Sequence, residues 1–534
     1  MFPKPPIAVV LRGSLFAASL IGMLQGCSTE RYKAQADEEV YTIIEAKWKD
    51  NLGPKANYKI QDVNESTNNE KLEESQPISG TISLAQAVAI ATAQSRDYQT
   101  QKEQLYLTTL NLTSVRHDFA RRWFGTIDAD YLKDSEDESL SYDAKLGFNQ
   151  LLADGAQVTT SIAIDWLRFL TGDPDTSLGT VLSASITQPL LRASNRKIVQ
   201  ENLTQAERYV LYQLRRFSRY RKKFIVSIVA DYYSVLKQKN GIINSENNYK
   251  RVEESKNRLE MMAEAGRKAA FEVDDAEQRL LASRDGLVKA KQSYQQALDE
   301  FKIRLALPTD ANIVLDYNEL EALEQLGITQ PDYTLEAAVE TALQQRLDLA
   351  NVDDELDDAA RKVEVAADSL GMNLNLVASA AVSSQEKTKF ERLQFHNGTY
   401  ALGLEADLPL DRKSERNSYR RSLITLQQNQ RAYKNYVDEV KLDVRQAYRQ
   451  LAEAAQRYII QKNSLELANK RVESISLLVE AGRTSARELL EAQADLLSAE
   501  NDLTSALVSH VNAKLNFFRD IGVLQVRPDG MWYY

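Results

Sequence analysis

The chain has 534 residues, 27% of them charged, with only 11 prolines and 20 glycines. Together with long stretches rich in Ala, Glu, Leu, Gln and Arg, this composition reads as long helices with few breaks. A mean hydropathy of -0.43 excludes a polytopic helical membrane protein, and a net charge of -10 argues against a broad nucleic-acid surface, which would be basic.

Residues 1–26 read as a signal peptide. Lys4 and Arg12 supply a positive n-region, and Gly13 to Leu24 is an apolar stretch too short and too early for an ordinary spanning helix. The segment ends in Leu24-Gln25-Gly26-Cys27, which resembles a bacterial lipobox. That resemblance implies that Cys27 becomes a lipid-bearing N-terminus, and Ser28 after it implies sorting to the outer membrane. A signal peptide with an incidental cysteine is the plainer alternative. Cys27 is the chain's one cysteine, so no disulfide forms within it. Residues 27–80 are polar and irregular, and read as a tether that hangs free or packs along the body.

The rest of the chain repeats itself once. Ser83-Leu84-Ala85-Gln86-Ala87-Val88 is echoed by Thr334-Leu335-Glu336-Ala337-Ala338-Val339 at an offset of 251 residues (334 against 83). Gln188-Pro189-Leu190 is echoed by Leu408-Pro409-Leu410 at 220 (409 against 189), and Glu264-Ala265-Gly266-Arg267 by Glu480-Ala481-Gly482-Arg483 at 216 (480 against 264). The falling offset gives the first copy 31 extra residues before its Pro-Leu, enough for an added hairpin or a long loop, and 4 more before its Gly.

The first copy spans 81–310. After an opening helix its strands fall at about 125–188, where Tyr142, Ala144, Leu146 and Phe148 alternate with polar residues, as do Val158, Ile162, Ile164 and Trp166, and then Leu182, Ala184 and Ile186. Gly125 and Gly155 read as strand turns. A long helix from about Arg196 to Ala265 then leads to a turn at Gly266. A connector at 311–333 joins this copy to the second, which spans 334–522, with strands at about 372–410. There Leu374, Leu376, Ala378, Ala380 and Val382 share one face of a strand, and Tyr400, Leu402, Leu404, Ala406 and Leu408 one face of its partner. From Tyr433 the positions Val437, Val440, Val444, Ala447, Leu451, Ala454 and Tyr458 step by threes and fours, a 3.5-residue period that marks a left-handed coiled coil. This helix, from about Lys413 to Gly482, spans ~105 Å at 1.5 Å per residue. Residues 523–534 form a tail.

Strands of ~9–11 residues with one apolar and one polar face suit a transmembrane barrel. A soluble antiparallel sheet with one wet face alternates in the same way. The lipobox favours the barrel. Four to six strands cannot close a barrel alone, and open edges are not tolerated in lipid, so copies of the chain must share one.

Two copies of helix, strands, long helix, turn and long helix behind a lipobox resemble the TolC-like outer-membrane factors of tripartite efflux and type I secretion systems. The motifs that carry the resemblance are Leu-x-x-Ala-Val, Pro-Leu and Ala-Gly, each present twice in order. The resemblance implies a mainly α fold with a membrane β-barrel contribution: a trimeric α/β barrel channel of twelve strands with a periplasmic helical tunnel. It implies a homotrimer, an equatorial region near the connector, a periplasmic adaptor and an inner-membrane transporter of RND, ABC or MFS type. Six strands per chain would instead give eighteen in a trimer. No cofactor and no nucleic-acid partner are implied.

The turns at Gly266 and Gly482 are then the periplasmic tips, with Arg267 and Arg483 either meeting the adaptor or capping the preceding helices. Glu488 and Glu491 match two acidic positions at which the family forms its constriction ring, and Glu272 and Asp275 are their counterparts in the first copy. Such acids form a cation-selective gate or merely complement the helix dipole. His117, His396 and His510 match no metal-ligand spacing, and no nucleotide-binding or nucleophile motif stands in a strand-to-helix context, so no enzyme is expected. The structural alternative is a lipid-anchored periplasmic coiled-coil scaffold without a pore. An adaptor would need one hairpin and a lipoyl-like domain, not two hairpins and amphipathic strands.

Overall fold

The computed structural model describes residues 28–49, 52–55, 58–60, 80–133, 138–169, 176–329, 331–385, 389–527 and 532–533. Cys27 and the signal segment lie outside these described residues.

The start of the tether is helical, not irregular. Thr29–Lys47 (α1) lies against the body through buried Val40, Ile43 and Ile44. Its weak apolar stripe would not hold a helix in isolation, and tertiary packing supplies the stability. Tyr106 donates a hydrogen bond to Asp37 (2.7 Å), and Trp48 meets Phe217 edge-on.

The duplication is explicit in the backbone. Leu84–Gln94 (α2) is closed by a capping box between Ser83 and Gln86, and Leu335–Gln345 (α8) by Thr334 accepting from the Ala337 amide. Each breaks at one extended residue, Ser95 or Arg346, before a longer helix: Arg96–Asp118 (α3) or Leu347–Asp368 (α9). In the first copy a short turn, Arg196–Val199 (α4), is split off at Gln200 from the rod Glu201–Glu264 (α5), which Ala270–Arg304 (α6) follows. In the second copy the rod Lys413–Glu480 (α10) has no such break at its start, and Ala486–Asp520 (α11) follows it after a turn. At 64 and 68 residues the rods are ~100 Å long. They form one wall in the order α10, α11, α5, α6. The coiled-coil positions Val440, Val444, Ala447, Leu451, Ala454 and Tyr458 are buried, as the 3.5-residue period requires.

Both chain ends and the connector meet at the middle of the rods. Gly80–Ile82 (β1) pairs in parallel with Ile313–Leu315 (β6), and Asn318–Leu326 (α7) follows. The Tyr232 hydroxyl donates to the Ile82 carbonyl (3.0 Å). Buried Arg221 donates to carbonyls of both chain ends: Pro54 (3.0 Å), Val526 (3.2 Å) and Arg527 (2.7 Å). Lys222 beside it donates to the Gly522 carbonyl (3.1 Å). Gln525–Val526 (β10) and Trp532–Tyr533 (β11) pair at the C-terminus.

At one end of the rods stands an antiparallel sheet. Its first-copy strands are Arg122–Lys133 (β2), Glu138–Leu151 (β3), Gln157–Phe169 (β4) and Thr176–Pro189 (β5). Asn373–Gln385 (β7) and Thr399–Asp407 (β9) come from the second copy, and short Lys389–Leu393 (β8) pairs with the last two residues of β7. The order β2-β3-β4-β5-β7-β9 joins the copies at β5–β7. The 31 extra residues are therefore a hairpin, and the described residues form six long strands in this sheet. Gly155 is a turn residue as expected, with φ +86° and no room for a Cβ beside the Ala193 carbonyl. Gly125 is not a turn: it lies inside β2 opposite Leu146. The small residues Gly125 and Ala129 on the apolar face of β2 dilute its alternation in the sequence.

Candidate functional site

Pairing makes each alternating pattern one column of a two-faced sheet. Across β2, β3, β4 and β5 one row reads Ile127, Ala144, Ile164 and Thr180, and the next reads Gly125, Leu146, Ile162 and Leu182. The second row continues into Val382 of β7, and further along β7 the pairs Leu376–Leu404 and Ala378–Leu402 carry the apolar face into β9. In the lone chain this face is open: Trp123 is 67% exposed, Leu402 76% and Leu404 68%. The face is edged by aromatic residues at two levels. Trp123 packs on Phe148 near the rods, and Tyr142 on Trp166 toward the far end, each pair with ring centroids 5.2 Å apart. Six residues separate Phe148 from Tyr142, ~20 Å along a strand, which suits the ~25 Å apolar band and aromatic girdles of outer-membrane barrels. No helix among the described residues is long and apolar enough to cross a membrane.

The opposite face is polar. Asp128, Asp143 and Asp165 lie side by side in register on β2, β3 and β4, with Asn149–Thr159 and a Ser161–Ser183 hydrogen bond (2.8 Å) on the same face nearer the rods. Glu405 and Asp407 extend this face to β9.

The two helical tips lie at the opposite end of the rods and share one geometry. Gly266 has φ +70° and Gly482 φ +67°. The Arg267 amide reaches back to the Met262 carbonyl and the Arg483 amide to that of Leu478, each at 2.9 Å. This backbone cap satisfies the last helical carbonyls and needs a residue that tolerates positive φ. Arg267 and Arg483 are exposed.

The four predicted acids sit in the first two turns of α6 and α11, in unlike surroundings. Glu488, Glu491 and Asp275 are exposed, and Glu491 pairs with Arg487 at 3.1 Å. Glu272 is half-buried and engaged: it accepts from Lys268 Nζ (3.0 Å) and from the Ala486 amide (3.1 Å). Burial pushes its carboxyl up, but the Ala486 amide and the Lys268 ammonium outweigh that and hold it below the ordinary range. Lys268 also donates to the Thr484 carbonyl (3.0 Å), so Lys268 and Glu272 tie tip to tip. An Arg258–Glu480 ion pair and the apolar contacts of Ala276, Val479, Ala486 and Leu489 support the same seam. No sequence motif singled out Lys268 or this seam, because the partners across the seam lie more than 200 residues away.

Residues 338–522 match the family model described as outer membrane efflux protein. This part of the chain is similar to an outer membrane efflux protein domain. No curated protein matches the chain in sequence. Among solved structures, the CmeC outer membrane channel of Campylobacter jejuni is similar at 14% identity and a TM-score of 0.59, over 88% of this chain and 94% of that one. The MtrE outer membrane channel of Neisseria gonorrhoeae, in its open state, gives 13% and 0.58 over 82% and 88%. The outer membrane protein VceC of Vibrio cholerae gives 13% and 0.57 over 82% and 96%. These likenesses show the fold, that of the TolC-like channels, and it extends across the first copy, which the efflux domain does not reach. Domain and fold agree on a subunit of an outer-membrane efflux channel.

Proposed function

We propose that this efflux-channel subunit works as a homotrimer that spans the outer membrane through a shared β-barrel and reaches into the periplasm with its rods. The observation that carries this reading is the sheet, with a continuous apolar, aromatic-edged face on one side, carboxylates and hydroxyls on the other, and two long edge strands. Lipid on Cys27 anchors the chain. The tips at Gly266, Arg267, Gly482 and Arg483 dock a periplasmic adaptor, through which an inner-membrane transporter of RND, ABC or MFS type supplies energy and cargo, as solute efflux or type I secretion. Glu488, Glu491 and Asp275 form the periplasmic gate, and Glu272 acts beside them by holding the tips together. Catalysis is not part of this role. Detergent-extracted protein placed in planar bilayers should form a trimer with stepwise conductance. A monodisperse, detergent-independent body with no conductance would establish the scaffold instead.

A further inference from the structure

We infer that three copies close an eighteen-stranded barrel, by antiparallel pairing of β2 with β9 of the next copy, so that the hairpin β2–β3 widens the outer-membrane pore. The inference rests on the channel reading and adds the identity of the seam. Among the described residues β2 and β9 each have one partner strand, leaving two open edges. Open edges are not tolerated in lipid, and the described residues offer no further long strand to cover them. The strands alternate in direction along the sheet, so β2 and β9 run oppositely and a second copy continues the ladder without a crossover.

The hairpin also carries the membrane signature itself. Trp123, Ile127 and Tyr131 stand on the same face as Leu402 and Leu404 and are equally open. Asp128 and Asp143 stand with Glu405 on the other face. A hairpin folded outside the barrel or into its lumen would leave the three large apolar side chains in water and one aromatic level unmatched. With strands ~4.8 Å apart and tilted ~40°, eighteen enclose a barrel about 36 Å across, against about 24 Å for twelve. Barrels of this strand number leave a water-filled channel, so the sheet does not set the limiting aperture and discrimination falls to the helical tips.

Cysteine pairs separate the two closures, because Cys27 is the chain's one native cysteine. Ala401→Cys or Gly403→Cys on β9 is combined with a scan of Thr126→Cys, Asp128→Cys and Asp130→Cys on β2, or of Ser161→Cys, Ala163→Cys and Asp165→Cys on β4. The full chain is oxidised in outer membranes. Eighteen strands predict covalent dimers and trimers from at least one β9–β2 pair and none from β9–β4. Links from β9 to β4, or a detergent-stable trimer that links at no β2 position, would overturn the inference and leave the channel reading standing. Failure to obtain any oligomer would remove the channel reading itself.

Discussion

Replacing Arg221 with Met should release both ends of the chain from the middle of the rods while leaving the rods folded. Arg221 is 6% exposed and has no carboxylate partner among the described residues; its guanidinium is held by the carbonyls of Pro54, Val526 and Arg527. Burial lowers its pKa, with nearby Tyr98 opposing the shift, so much of its attraction to the carbonyls offsets desolvation. Methionine roughly conserves the apolar stem and removes the desolvation cost, but leaves three carbonyls without a donor at ~1 kcal/mol or more each. The expected loss is about 3 kcal/mol, confined to the two terminal segments. At 1.4 kcal/mol per factor of ten, amides of residues 52–60 and 522–527 should exchange with deuterium ~100-fold faster, with those of α5 below Tyr232 unchanged. Arg221→Lys, which keeps the charge but not the fork, should fall between. Unchanged protection of both ends in the Met variant would refute the idea that one guanidinium fastens them.

Lys222 gives a pH signature. Burial, with Arg219 and Arg221 adding, pushes it from 10.5 down to about 8. The folded state therefore disfavours its charge, and stability rises with pH between about 8 and 10.5 and is lower by a constant amount below that window, by roughly 3 kcal/mol. Lys222→Met should flatten urea midpoints across pH 8–10; a parallel curve would refute the assignment. Gly482→Ala forces a Cβ into a left-handed cap and should cost ~1–2 kcal/mol at that tip, read as faster proteolysis near 482, with a smaller increase near 266. Glu488→Gln with Glu491→Gln should weaken divalent-cation block in single-channel records. Unchanged block would take both residues out of the gate.

The rods and tips were legible because their signals are local. The 3.5-residue step from Val437 to Tyr458 fixes the buried stripe, and a glycine after Ala265 or Ala481 fixes the cap. Strands β3, β4, β5, β7 and β9 were legible from alternation. In β2 the apolar positions alternate large and small, which left Gly125 to be read as a turn and the hairpin undecided. The clamp of Lys268 on Glu272 and Thr484, the fastening of both ends by Arg221 and the docking of α1 depend on contacts between distant residues, and no local pattern announces them.

The junction of the two copies at β5–β7 lies within one chain, whereas the added hairpin sits at the sheet's outer margin. Strands inserted there as a pair preserve the alternation of direction, so the margin can still meet β9 of a neighbour, and they disturb neither the internal junction nor the spacing of either rod. Bore and reach are thus written in separate stretches of the gene: one can be altered by hairpins at the margin, the other by whole turns of helix.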